Sequence, residues 1–159
     1  MILINNYKFK FDTKQKIIEI INLSLLIFMI AYLIINWNNI GENVPIHYNS
    51  AGQSDSWGSK NSLIVLPIVT IIVNISMSGV LLCPQALNVP VKITEENYVK
   101  VYDLTRDLMN FAKIAINISF LYITLMSANC KPLGPWFLPI FLIIIFMPIA
   151  IYYIKIRKV

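Results

Sequence analysis

Charged residues are scarce in this sequence of 159 residues: only 13% are Asp, Glu, Lys or Arg, about half the usual share of a soluble domain. Hydrophobic residues make up 57% of the chain. A soluble protein of this composition would expose large apolar patches and aggregate. The shortage of charge therefore excludes an ordinary soluble domain and favours an integral membrane protein.

Histidine and cysteine are also rare. The single histidine, His47, excludes a His-rich metal site and the paired histidines of a zincin helix. Two cysteines, Cys83 and Cys130, are too few for a disulfide framework, and the topology proposed below places them on opposite sides of the membrane. The sequence also lacks dinucleotide, P-loop and zinc-finger patterns. We therefore predict no catalytic residue, no cofactor and no metal ion, and favour a non-enzymatic role.

Long apolar runs are what the sequence has instead. A helix needs about 20 residues to cross about 30 Å of hydrocarbon, and four runs of that order occur, at 17–36, 62–82, 111–128 and 136–154. The first is too long for a signal-peptide core and no small-x-small cleavage site follows it, which indicates an uncleaved anchor. These runs predict an all-α fold: one transmembrane domain over residues 1–159, built as a four-helix bundle in lipid. Three prolines are expected to kink their spans, Pro67, Pro139 and Pro148.

The basic residues predict the orientation in the membrane. Of the 13 lysines and arginines, four precede residue 17, four lie between residues 83 and 113, and three follow residue 154. Because cytoplasmic segments carry the excess of Lys and Arg, we predict a multi-pass protein of the bacterial cytoplasmic membrane with both termini cytoplasmic. The inner loop, residues 83–110, is then cytoplasmic and the outer loop, residues 37–61, is extracytoplasmic. The net charge of +5 is spread beside apolar runs, which favours a lipid surface and argues against nucleic acid.

The inner loop contains a predicted amphipathic helix. Thr94 is a suitable N-cap, and apolar or small residues then recur every three or four positions, at Tyr98, Val101, Thr105, Leu108 and Ala112. This cytoplasmic helix leads into the third span, where Lys113 is expected to snorkel to the interface. It is either a surface helix or a docking face for a cytoplasmic regulator.

The outer loop differs sharply in composition from the runs around it. Gly52 and Gly58 allow tight turns, and Pro45 restricts its own φ and holds Val44 extended. Tyr48 and Trp57 offer aromatic faces that can fold back on the span ends. We therefore predict an ordered loop without regular secondary structure.

His47 is the most reactive side chain of the outer loop. Asp55 is close enough in sequence to orient its imidazole, and Lys60 is expected to pair with Asp55 and close the loop. Three interpretations of His47 remain open: a structural histidine, a residue that binds a ligand or peptide, and a catalytic base or metal ligand. The last would require Glu42 and Asp55 to join His47 around a metal ion, and no spacing favours that.

The outer loop also carries a resemblance to a known family. The residues that form it are Pro45-x-His47-Tyr48-x3-Gly52-x2-Asp55-x-Trp57-Gly58-x-Lys60, and a second segment runs from Asn88 to Asn97. They resemble a family of bacterial polytopic membrane proteins of unknown function, whose module also forms the N-terminal part of SdpI-type immunity proteins. The resemblance implies protection against a secreted toxin and, in some relatives, capture of a cytoplasmic repressor. This sequence lacks the C-terminal extension of those longer relatives.

Three asparagines lie inside predicted spans. Asn22, Asn74 and Asn117 are each five to eight residues from the cytoplasmic end of their span, which places them at a similar depth of roughly 7 to 12 Å. An amide that faces lipid is costly, so we expect all three to point inward and to lie near one another. They are either contacts between helices or the lining of a polar pocket.

The sequence is compatible with two functions. The first is an SdpI-like membrane protein that acts in toxin immunity or membrane signalling. A secreted peptide or toxin would bind the outer loop at five residues, His47, Tyr48, Asp55, Trp57 and Lys60. The alternative is a membrane-embedded enzyme or small-solute carrier that uses His47, Asp55 and the intramembrane amides.

Overall fold

The computed structural model describes residues 13–83 and 87–159 of the chain. The N-terminal arm with Lys8 and Lys10, and three residues of the inner loop, lie outside the described residues. Four helices in the described part are long and apolar enough to cross a membrane. This confirms the prediction of a mainly helical multi-pass membrane protein.

The helices are α1, α2, α3 and α4, and their bounds are Thr13–Asn36, Val65–Val80, Tyr98–Ala128 and Phe137–Ile156. Two strands between α1 and α2 form an antiparallel hairpin, β1 (Asn43–Tyr48) and β2 (Ser54–Ser59). A short 3-10 helix, Lys60–Ile64, then leads directly into α2, and the two together form the second candidate span, Lys60–Val80. The fold is therefore not all-α, and the prediction that the outer loop has no secondary structure is wrong.

The central helix is α3. Its contacts with α1 join residues separated by a nearly constant number of positions, as in the pairs Gln15–Asn110, Asn22–Asn117 and Met29–Thr124. A constant separation means that α1 and α3 run parallel. In α2, by contrast, Asn74 meets Asn117 while Ser78 meets Lys113, so α2 runs antiparallel to α3.

The fourth helix packs mainly on α3, antiparallel to it. Thr105 contacts Tyr152 near one end, and the rings of Tyr122 and Phe137 stack at 5.5 Å near the other. None of the most apolar stretch of α4 is buried within the protein. The helices therefore form a three-helix core with α4 added along one side of α3, rather than a closed four-helix bundle, and lipid is the solvent for the exposed faces.

Helix α3 is longer than the predicted third span. It begins at Tyr98 with Asn97 at its N-cap, not at Thr94, and continues without a break to Ala128. The predicted amphipathic segment is thus the first part of α3, with Val101 and Thr105 buried, and Arg106 is buried as well. The inner loop consequently ends at residue 97.

Two of the three prolines lie where a helix tolerates them. Pro139 is the third residue of α4, where the backbone N–H has no partner within the helix in any case, and Pro67 lies at the junction of the 3-10 helix and α2. Only Pro148 lies inside a helix, in α4, where it removes one backbone hydrogen bond. The kinks expected at Pro67, Pro139 and Pro148 stay a prediction.

Candidate functional site: a docked hairpin and a polar helix seam

The turn of the hairpin is organised by Asn49. Its side-chain oxygen accepts hydrogen bonds from the backbone nitrogens of Ala51 and Gln53, both at 3.0 Å. Its own backbone nitrogen donates to Gln53 at 2.9 Å. This asparagine turn places Gly52 at a φ of 72°, a conformation that favours glycine. Asn49 was not singled out from the sequence, although asparagine three residues before glycine is a turn signal.

The hairpin is fixed to the helices at its turn. The carbonyl of Gly52 accepts a hydrogen bond from the nitrogen of Leu133 at 2.8 Å, in the connection between α3 and α4. Tyr48 extends from the same end of the hairpin, and its hydroxyl lies 3.0 Å from Ser127 Oγ and donates to the carbonyl of Lys131 at 3.2 Å. Burial raises the pKa of Tyr48 above the ordinary value of 10.0. Tyr48 is therefore an anchor of the hairpin to α3.

The base of the hairpin is held by Lys60. Its ammonium pairs with Glu42 at 2.9 Å and lies 5.3 Å from the ring centroid of Trp37. The backbone nitrogen of Lys60 also donates to the carbonyl of Glu42. The expected pair between Lys60 and Asp55 is therefore wrong, because the strand register places Glu42 beside Lys60 instead.

A small apolar core lies beneath the hairpin. It is formed by buried side chains from α1, the turn that follows it, the hairpin, the 3-10 helix and α3: Leu33, Ile40, Val44, Leu63 and Ala128. Pro45 is also buried, next to a register shift in β1. Gly58 is not a turn residue, since it lies within β2 opposite Val44, where the side chain of Ile46 passes over it. This core makes the hairpin a packed part of the protein.

His47 and Asp55 meet on the exposed surface of the hairpin. The distance between His47 Nδ1 and Asp55 Oδ1 is 2.5 Å, and the two side chains are 67% and 42% exposed. Elsewhere on the hairpin, Trp57 and Ile46 expose about half of their surface. The hairpin thus presents a charge-bearing pair and two apolar side chains that are accessible to a ligand.

A metal site is not supported in the described part of the chain, where no group of three His, Cys, Asp or Glu side chains comes together. Glu42 is engaged with Lys60, away from the pair that His47 and Asp55 form. The exposure of His47 also leaves it without the dry surroundings in which acid–base catalysis gains most.

The three asparagines form one cluster inside the helices. Asn117 Nδ2 donates to Asn22 Oδ1 at 2.8 Å, and Asn74 Nδ2 donates to Asn117 Oδ1 at the same distance. Asn22 and Asn117 are almost completely buried. One residue comes from each of α1, α2 and α3, so these hydrogen bonds join the three core helices.

A charged tier lies one helical turn from the asparagines, and sequence reasoning missed it. Lys113 Nζ contacts both carboxylate oxygens of Glu19, at 2.7 and 2.8 Å, and donates to Ser78 Oγ at 2.8 Å. The expectation that Lys113 snorkels is wrong, because its side chain is completely buried. The sequence nevertheless indicates such a pair, because Glu19 and Lys113 carry opposite charges and both lie near the predicted cytoplasmic end of a span.

The polar contacts continue to the end of the helices. Gln15 and Asn110 exchange two hydrogen bonds, and Lys14 pairs with Asp107 at 2.8 Å. Together with the charged tier and the asparagines they form what we call the polar seam between α1 and α3. The seam and the His47–Asp55 pair are separate sites, since ten residues of α3, about 15 Å, lie between Asn117 and the hairpin contact at Ser127.

Comparison with known proteins gives matches over part of the chain. Residues 24–71 match the model of a domain of unknown function, DUF1648. The matched segment contains the second half of α1, the whole hairpin and about the first half of α2. A relative described as an uncharacterized protein, from Archaeoglobus fulgidus, is 26% identical over 87 residues, which is 50% of this chain and 47% of the relative. The chain therefore spans about half the length of that relative. No solved structure matches.

Proposed function

We propose that this chain is a non-enzymatic membrane receptor of the SdpI-like type, which binds a secreted peptide or toxin at its hairpin and acts in toxin immunity or membrane signalling. The observation that carries this proposal is the way the hairpin is held. Both its turn and its base are fixed to the helices, while the His47–Asp55 pair remains exposed. A rigid support with an accessible polar pair suits recognition, because little order has to be gained on binding.

The surface of the hairpin supports a peptide as ligand. The sheet has two strands, so β2 pairs with β1 along one edge only. An extended peptide can add a strand to such an edge through backbone hydrogen bonds. Asp55 and Trp57 lie two positions apart on β2, so their side chains share one face of the sheet. They would contact the peptide side chains on that face, Asp55 through charge and Trp57 through apolar surface.

The polar seam supports a signalling role. Tyr48 attaches the hairpin to Ser127 in α3, and the same helix carries Asn117 and Lys113 towards the opposite end. A ligand that favours one position of the hairpin would bias the position of α3 against α1. In the proposed orientation a cytoplasmic regulator would read this change at the start of α3.

A protection assay tests the proposal. A sensitive bacterium that expresses the chain is exposed to a panel of secreted membrane-active peptides. We expect protection against at least one peptide, and a loss of at least tenfold in His47→Ala and Asp55→Ala at equal protein levels in the membrane. Asn39→Ala is the matched control, because Asn39 is exposed next to the hairpin but outside it.

The carrier or enzyme alternative predicts a different outcome. A shared site would need His47 near the intramembrane amides, and about 15 Å of α3 separates them. If no peptide in the panel is countered, or if the His47 and Asp55 variants protect as well as the wild type, the receptor proposal is wrong.

A further inference from the structure

A long apolar groove runs between α3 and α4. Two cavities of about 390 and 410 Å³ lie along these helices, and Ile118 and Ile144 line both of them. The two cavities are therefore halves of one groove. Its walls are almost entirely aliphatic and aromatic, and it opens on the side of the protein that faces lipid.

The half of the groove near the chain termini has the length of one membrane leaflet. From Ile144, where the two cavities join, α4 continues for eleven residues to Lys155. At 1.5 Å per residue this is about 16 Å, close to half of the roughly 30 Å hydrocarbon core. A single acyl chain that enters this half would thus have its headgroup at the level of Lys155.

The charges at that end favour an anionic headgroup. Lys155 lines the cavity, and Arg157 follows it with its guanidinium 4.4 Å from the ring of Tyr153. Asp107 lines the same cavity, and its negative charge is offset by Lys14, which pairs with it at 2.8 Å. Among residues 13–83 and 87–159, no side-chain carboxylate forms an ion pair with Lys155. The mouth of the groove is therefore positive.

We propose that this half-groove is a binding site for an anionic phospholipid, with one acyl chain between α3 and α4 and the phosphate paired with Lys155. The apolar walls bind the chain, and Lys155 selects the charge of the headgroup. This inference is independent of the proposed function of the hairpin. It is also independent of which side of the membrane holds the termini.

Lipid retention in native mass spectrometry tests the site. The full chain is reconstituted in phosphatidylcholine membranes that contain phosphatidylglycerol and is then extracted in mild detergent. The mass of the protein with its bound lipids identifies the lipids that are retained. We expect the wild type to retain phosphatidylglycerol at least fivefold over phosphatidylcholine. Lys155→Gln should abolish that preference, whereas Lys131→Gln, in the α3–α4 connection at the opposite end of the helices, should leave it unchanged.

A second pair of variants tests the groove itself. Ile151→Trp places a ring in the half-groove, whereas Ile143→Trp changes another exposed residue of α4 outside it. We expect only Ile151→Trp to lower lipid retention. Equal retention in both, or an unchanged preference in Lys155→Gln, would overturn the proposal. So would cysteine cross-linking at position 151 between two copies, because a second chain would then cover the groove.

Discussion

The ammonium of Lys113 lies 2.7 Å from the carboxylate of Glu19, and the Lys113 side chain has no exposed surface. The pair joins the first and third helices inside a membrane protein, and Ser78 of α2 completes the contacts of the lysine. A buried charge of this kind is tolerated only while its partner is present. Lys113 should therefore be more sensitive to substitution than any exposed lysine.

The first prediction concerns this ion pair. Lys113→Met leaves the carboxylate of Glu19 without its cation and should lower the free energy of unfolding by about 3 kcal/mol, measured in mixed micelles. Combining it with Glu19→Gln should recover much of the loss. Lys14→Met is the control, because the exposed Lys14–Asp107 pair should contribute less than about 1 kcal/mol. Equal losses in Lys113→Met and Lys14→Met would show that the buried pair has no special role.

The second prediction concerns the asparagine cluster. Asn117→Leu removes the hydrogen bonds to both Asn22 and Asn74, whereas Asn74→Leu removes only those to Asn117 and to its own helix. With about 0.5 to 2 kcal/mol for each interhelical contact, Asn117→Leu should cost more. The free energies of unfolding of the two variants in mixed micelles test this. A larger loss in Asn74→Leu than in Asn117→Leu would contradict the hydrogen bonds described.

The third prediction concerns the hairpin turn. An alanine at Gly52 would have φ at 72°, and its Cβ would lie within 2.7 Å of the backbone nitrogen of Gly134. The left-handed conformation alone costs about 1 to 2 kcal/mol, and the overlap forces the hairpin away from the α3–α4 connection. We expect Gly52→Ala to speed hydrogen exchange across the hairpin. Gly41→Ala, in the same loop with no close contact, should leave exchange unchanged.

The fourth prediction concerns pH. Because the pKa of Tyr48 is raised by burial in the folded protein, the unfolded state loses this proton first as pH rises. The stabilisation by Tyr48 is thus complete below pH 10 and is lost above it. Tyr48→Phe should lower stability by about 1 kcal/mol at neutral pH and should reduce the further loss above pH 10. A pH dependence of unfolding identical to that of the wild type would contradict this role.

The sequence was sufficient for the helices because lipid imposes a simple requirement. Backbone groups in hydrocarbon must be satisfied within the chain, so a run of about 20 apolar residues has to be helical. The hairpin follows no such rule. The strand Ser54–Ser59 is rich in serine and has the composition of a loop. It becomes a strand because Asn49 sets the turn, and because Ser127 of α3 and Leu133 of the α3–α4 connection contact the hairpin.

The contacts of the candidate site could likewise be predicted from the sequence only in part. The shared depth of Asn22, Asn74 and Asn117 could be read from their positions, and the structure brings them together. The partner of Lys60 could not be read, because nearness in sequence to Asp55 says nothing about strand register. Lys113 was placed at the interface because a lysine at the end of an apolar run usually snorkels. Its burial depends on Glu19, 94 residues away.

A receptor for a secreted peptide must expose its hairpin on the extracytoplasmic side of the membrane. Labelling of the two native cysteines tests this most directly. Cys130 is exposed at the hairpin end of the helices, and Cys83 is exposed after α2 at the opposite end. In intact cells, a membrane-impermeant maleimide should label the Cys83→Ala variant, through Cys130. It should label the Cys130→Ala variant, through Cys83, only after the membrane is permeabilised. The opposite pattern would place the hairpin in the cytoplasm and contradict the account.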